Sequence, residues 1–364
     1  MTAKNRLLWL SFVALQLLVY ARVSAEPYIA VRTGLKCEAC HVNPTGGGLR
    51  TAFGDAYAQT ELPAKQIHTP WGLWTGNIGK VLRIGGDLRD EATVTQTPHT
   101  PTIDQFQLEQ ARFYLEASVV PDRLLFYVDE QVAPGGALNR EAYALYWSAG
   151  HDWYVKAGQM YLPFAFRLAD QSAFVYQVSG ISMERPDQGM EVGWMRGHWD
   201  TQLTVSNGTA GGGVTSQGKE YGLQASYVQS RWRFGLAANE DDVAAGRDRV
   251  FGAFGGLRTG PVVWLGEADM IEDRSVPFVG RTQAATLLEA DWLVSRGSNL
   301  KVTMEFLDPN RSVHNNGENR WSLVYEYFPV QFLQLRAGVR YYDGPPQVDV
   351  EHTKFFFVQL HGFF

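Results

Sequence analysis

From Lys80 to the C-terminus the chain repeats one pattern: about ten residues alternating in polarity, then a break, with short turns and long loops taking strict turns. In Arg320–Phe328, for example, Trp321, Leu323, Tyr325 and Tyr327 share one face, while Arg320, Ser322 and Glu326 share the other. Period two between glycine-rich breaks argues for β-strands. Sixteen such segments fit between Lys80 and Phe364. Short connections fall at Pro121-Asp122, Gly197-His198, Gln229-Ser230, Thr259-Gly260 and Pro329-Val330. Between them lie long ones, including Thr97–Thr102, Tyr161–Gln188, Gly208–Gly218 and Asn239–Asp248. An even strand number with loop lengths sorted by end predicts an all-β, 16-stranded antiparallel transmembrane barrel. A soluble sandwich has no reason to sort its loops this way. Both termini of the barrel then lie on the short-turn, periplasmic side.

Composition agrees with strands rather than helices: 37 glycines, 20 phenylalanines, 16 tyrosines and 11 tryptophans. With 45% hydrophobic and 19% charged residues the chain is not generally disordered. A formal net charge of −6 argues against a nucleic-acid partner. The aromatic surplus fits girdles at two membrane interfaces.

Residues 1–25 read as a secretory signal peptide. Lys4 and Arg6 supply the basic start, Leu7–Tyr20 the apolar core, and Val23-Ser24-Ala25 the small residues before a cut between Ala25 and Glu26. The apolar run of 14 residues is short of the roughly 20 that a membrane-spanning helix needs. Glu26, not Cys, follows the cut, so no lipid anchor is indicated. The mature chain carries 29 basic and 38 acidic residues, a charge of −9.

Both cysteines lie in Cys37-Glu38-Ala39-Cys40-His41, the attachment pattern for c-type haem. Two thiols at that spacing add across two vinyl groups, and the adjacent imidazole becomes the proximal iron ligand. A thioredoxin-like pair needs a strand–helix context that is missing, and a zinc site needs four ligands where only His68 lies nearby. After His41 the run Asn43-Pro44-Thr45-Gly46-Gly47-Gly48-Leu49-Arg50 lets backbone pass close to a flat macrocycle. Pro44 or a neighbour offers a carbonyl to the imidazole N–H, and Arg50 is a candidate partner for a haem propionate. The sixth iron position has three readings: His68 completes a bis-His haem, the position is open or holds water, or a methionine arrives from the barrel. Met160, Met183 and Met190 are the candidates for the last, and His68 is the preferred ligand.

The residues 37–50 resemble the haem-attachment region of small c-type cytochromes. The last strand, with Phe356, Val358, Leu360, Gly362 and Phe364 in alternation, resembles the recognition signal of the outer-membrane barrel assembly machinery. Lys156-Ala157-Gly158-Gln159-Met160-Tyr161-Leu162-Pro163-Phe164 resembles a signature of the phosphate-selective porin O/P family, continued by Met183-Glu184-Arg185 and Asp187–Gly193. That resemblance implies a 16-stranded porin whose third long loop, Tyr161–Gln188, folds inward and narrows the pore. Arg167 and Arg185 in this loop either face an anion or pair with Asp170 and Glu184. The lysine-rich ladder of that family's phosphate-specific members is not evident.

Residues 26–75 are too few and too polar to bury a core alone, so covalent haem and the barrel are expected to hold them as a cap or plug at the periplasmic mouth. A single-haem segment ahead of a porin barrel resembles the fused outer-membrane cytochrome–porins of iron-oxidising bacteria. The resemblance implies an outer-membrane electron conduit, passing electrons between an extracellular donor or acceptor, ferrous iron among them, and a periplasmic carrier such as a cytochrome c. The division is then 1–25 signal peptide, 26–75 monohaem cytochrome segment and 76–364 barrel, embedded in lipid and possible as a homotrimer, with the haem on the periplasmic side or in the lumen. The alternative is a passive anion or general porin whose haem segment is a structural or gating cap. No hydrolytic or transferase constellation is present, and distal acid–base residues for a peroxidase are absent from 26–75.

Overall fold

A computed structural model of the chain describes residues 26–208, 218–243, 246–274, 280–345 and 351–364. Among the described residues sixteen long strands close one sheet, which a two-residue strand, Asn77–Ile78, joins beside the first of them. The first eight are β1 (Leu82–Gln96), β2 (Ile103–Val120), β3 (Leu124–Ala133), β4 (Leu138–Trp147), β5 (Trp153–Met160), β6 (Asp187–Trp194), β7 (Trp199–Ser206) and β8 (Glu220–Val228). The second eight are β9 (Trp232–Val243), β10 (Gly246–Thr259), β11 (Val262–Asp273), β12 (Arg281–Ser295), β13 (Ser298–Asp308), β14 (Glu318–Tyr327), β15 (Leu333–Asp343) and β16 (Lys354–Phe363). Each pairs antiparallel with the next. β16 returns to β1, setting Lys354 opposite Gln96 and Phe363 opposite Asp87, so the ladder closes. Closure removes the sheet edges that would otherwise leave backbone groups unpaired.

Successive side chains point alternately outward and inward, and the usual order of polarity is inverted. On β14, Trp321, Leu323 and Tyr325 are exposed, whereas Arg320, Ser322 and Glu326 are buried in the lumen. An aromatic belt follows the short-turn end: Trp153 opposite Trp194, Trp199 opposite Tyr227, then Trp232, Trp264 and Trp292 on the following strands. Such a belt matches the interface level of a bilayer.

One expected long loop does not form. Residues 239–243 and 246–248 instead continue two paired strands, in which Asn239 faces Val250 and Asp242 faces Arg247. Arg247 bridges Glu240 and Asp242, and Arg249 meets Glu240 at 2.8 Å. Opposite charges directly across the ladder stabilise pairing in a stretch whose composition reads as a loop.

Residues 26–63 enter the barrel at the short-turn end, and residues 64–75 run along its rim. α1 (Pro27–Thr33) begins with Pro at its first position and stops at Gly34, whose left-handed backbone (φ 71°) lets its N–H return to the Ala30 carbonyl. A 3-10 turn spans Cys37–Ala39, and α2 (Ala52–Thr60) is capped by Thr51, whose side chain accepts from the Gly54 N–H at 3.1 Å. The third long loop also folds inward, carrying α3 (Phe174–Ser179) against β11, β12 and β13.

Three apolar clusters fasten the segment to the wall. Tyr28 and Val31 join Phe164, Phe166 and Phe174 of the inward loop and Phe254 and Leu265 of the wall. Val42 and Leu49 join Tyr114, Tyr127 and Tyr143. Ala58 packs with Phe328 and the penultimate residue, Phe363. Burying residues such as Val31 and Leu49 stabilises docking by about 1.5–3 kcal/mol each. Backbone bonds from Ala64 to the Phe328 carbonyl and from Lys65 to the Pro329 carbonyl add the rim of a short turn.

Gly256 is bare where α1 docks: a Cβ there would lie 2.5 Å from Val31 Cγ2. Gly256→Val is therefore expected to weaken docking by about 1–3 kcal/mol while leaving the ladder closed. Limited proteolysis should release residues 26–75 faster with unchanged strand content. Unchanged protection would contradict this seating of α1.

Candidate cofactor-binding site

The C-x-x-C-H run is held from both sides of the Asn43–Leu49 loop. The Val42 N–H donates to the Leu49 carbonyl at 2.9 Å, the Thr51 N–H to the Cys40 carbonyl at 3.0 Å, and His41 bridges to Arg50 as an antiparallel pair. Between these ties Gly46, Gly47 and Gly48 all take positive φ (93°, 82° and 64°), which side-chain-bearing residues rarely adopt. Gly54 is bare for a different reason, because a Cβ there would overlap the Cys40 carbonyl.

Wall residues hold this loop. Asn43, fully buried, donates to both Glu141 oxygens at 3.0 and 3.1 Å, and its own oxygen accepts from Lys156 at 3.4 Å. Lys156 in turn pairs with Glu191 at 2.9 Å. The Leu49 N–H donates to the Tyr127 hydroxyl at 3.2 Å.

Cys37, Cys40, His41 and Arg50 all face one cavity of about 1000 Å³, counting its open side. Ile29, Leu35, Phe166 and Phe254 give it apolar walls, and Lys36, Arg167 and Arg233 add cations to that of Arg50. Asp200 is a buried acid on the same lining. Arg233 is buried with its Nε unpartnered, and its other end donates to the Leu35 carbonyl. Arg167 does not pair with Asp170. It donates to the Gly46 carbonyl at 2.8 Å and the Tyr161 carbonyl at 3.0 Å, while Asp170 binds Arg320 and Arg340.

Burial drives His41 down to about 3, with Arg50 adding to the effect, so its imidazole is neutral. Burial raises both thiols, Cys40 to about 11, and they are free and protonated. The His41 Nδ1 is buried without a partner of full hydrogen-bond geometry, and Pro44 does not supply one; the backbone of Gly47 and Gly48 lies near enough to oppose the effect of burial in part. Two thiols, a neutral imidazole with unspent capacity, apolar walls and several cations are a donor set that fits a flat, carboxylate-bearing macrocycle. Asp55, beneath the site on α2, is raised to about 6 by burial, against the opposing pull of Arg50.

His68 is not brought to His41. It is exposed in a separate cleft with Trp71, Leu73 and Gln331, because the chain after α2 is tied along the short turns rather than folded back over the loop. The methionine candidates also lie off the cavity. Met190 faces outward, Met160 packs with Tyr143 and Tyr154, and Met183 lies against Gly47 in an adjoining pocket. Among the described residues no methionine or second histidine lines the cavity. Arg185 is exposed and outside it. Sequence reasoning passed over Arg233, although it sits between the outward Trp232 and Phe234 and is thereby an inward arginine beside a short turn.

No protein-family model matches the sequence, and no curated protein is significantly similar to it. The fold is similar to that of the anion-selective porin from Comamonas acidovorans, at a TM-score of 0.62 and 10% identity, covering 78% of this chain and 99% of that one. OmpT of Vibrio cholerae in its trimer form gives a TM-score of 0.60 at 12% identity, covering 78% and 99%. Pseudomonas putida OprB gives 0.61 at 9% identity, covering 78% and 94%. The chain shares the porin barrel fold.

Asn43→Ala removes two of the hydrogen bonds to the buried Glu141 carboxylate and leaves it the Tyr161 N–H at 3.0 Å, a loss of about 1–3 kcal/mol. Thermal release of the segment should shift to lower temperature, and adding Glu141→Gln should recover part of the shift. No shift in the single variant would show that Asn43 does not anchor the loop.

Proposed function

We propose that this chain is an outer-membrane barrel that carries one covalent haem c on Cys37, Cys40 and His41 within its lumen and passes electrons between the cell exterior and a periplasmic carrier. The observation that supports this best is the convergence of both thiols, the neutral imidazole and four cations on one apolar cavity. A haem bound there supplies a one-electron redox centre. Cys37 and Cys40 would hold it through thioethers and His41 through the iron. Arg50, Arg167, Arg233 and Lys36 would face its carboxylates, and the apolar walls exclude water from its faces. The outward aromatic belt and inverted polarity support a bilayer setting, with the segment at its periplasmic end. The trimer form of the Vibrio cholerae barrel supports a homotrimer here.

The porin-like fold favours a second reading, a transport porin in which the luminal segment is a structural or gating cap. The two readings differ in what crosses the membrane. For the conduit, planar bilayers should show no steady ion conductance, and dithionite outside vesicles should reduce cytochrome c trapped within. Replacing Cys37 and Cys40 with serine should abolish that reduction. Steady conductance, with no electron transfer above that of the serine variant, would establish the porin reading instead.

A further inference from the structure

The first residue after the expected cut sits in a buried nest of carboxylates. Glu26 is 6% exposed, and its side chain binds Lys301 at 2.8 Å. Lys301 also faces Glu289 at 3.7 Å, Asp291 at 3.8 Å and Glu326 at 3.7 Å. Among the described residues the other cation paired with this group is Arg336, at 3.2 Å from Glu326. The Tyr28 hydroxyl and the Asn299 amide donate to Glu326, and Thr303 donates to Glu289, but these carry no charge. Arg32 is turned to the Asn299 oxygen instead. Four acids thus share two bases, and three buried oxygens, Glu289 Oε1, Asp291 Oδ2 and Glu326 Oε1, have no hydrogen-bond partner. Buried carboxylates short of counter-charge are strongly unfavourable.

We infer that this nest is the binding site for the chain's own processed N-terminus. Hydrolysis of the Ala25–Glu26 peptide bond adds one water, leaving a carboxylate on the released leader and a new amine on Glu26. That amine takes up a proton and stands within roughly 5 Å of the Glu26 carboxylate by covalent reach alone. It adds a third cation to a group of four acids that otherwise shares two. Docking then draws on the cut, because the positive charge on this nitrogen exists only once the peptide bond is hydrolysed. Processing therefore completes the seat of the whole luminal segment, since α1 follows directly and carries Tyr28 and Val31 into the core. The inference rests on the nest and the export signal and is independent of what Cys37 and Cys40 bind.

The test compares the exported, mature protein with one carrying Gln-Ser inserted between Ala25 and Glu26, each N-terminus being read by mass. The processed chain should begin at Glu26. The insertion moves the ammonium out of the nest, and proteolytic release of residues 26–75 should quicken about tenfold. Asp291→Asn in the inserted chain removes one acid and should recover most of that protection. A mature N-terminus other than Glu26, equal protection with and without the insertion, or no recovery with Asp291→Asn would each overturn the inference.

Discussion

The pairing of the last strand with the first is the constraint on which the remaining structure depends. Once β16 meets β1, every strand has two neighbours, the backbone is satisfied within the wall, and the outer face is free to be apolar. Alternation then sends the polar residues inward by necessity. The lumen inherits Lys156, Glu191, Lys301, Glu326, Arg320 and Glu305, and their charges must be neutralised there, in part by one another. A lumen of that kind can recognise a polar guest, and Asn43, Glu26 and Asp170 are the side chains through which the segment and the inward loop answer it.

The guest and the wall depend on each other. Fifty residues with few large apolar side chains do not make an independent core, yet the segment's buried apolar residues, Tyr28, Val31, Val42, Leu49 and Ala58, find their partners on the barrel or the third loop. The cavity next to His41 is built in the same shared way. Its thiols and imidazole come from the segment, Phe166 and Arg167 from the loop, and Arg233 and Phe254 from the wall. Apolar walls around a neutral imidazole and the full set of four cations are therefore properties of the assembled lumen, to which the segment itself brings Lys36 and Arg50.

Much of the fold was legible because membrane strands announce themselves by period. Trp321, Leu323 and Tyr325 face outward as their spacing requires, and the third long loop folds inward as the family resemblance implied. The pairing of 239–243 with 246–250 was not legible, since its acidic run reads as solvated loop until Arg247 and Arg249 are placed across from it. The same limit governed the site. Cys37, Cys40, His41 and Arg50 stand close in sequence and could be grouped by spacing. Arg233 and Phe254 reach the cavity through strand order around a closed barrel, which no local pattern encodes. His68 was grouped with His41 by proximity along the chain, whereas the ties of Ala64 and Lys65 to a short turn keep it outside.

The claim on which the functional reading turns is that Cys37 and Cys40 carry a covalent haem. The most direct measurement is the intact mass of the mature protein after denaturation and acid–acetone extraction, with a pyridine haemochrome spectrum of the same sample. One haem retained per chain, with the α-band of a macrocycle whose two vinyl groups are saturated, is the predicted result. A chain of apoprotein mass, with its two cysteines free or joined in a disulfide, would contradict it and leave a porin barrel closed by a purely structural plug.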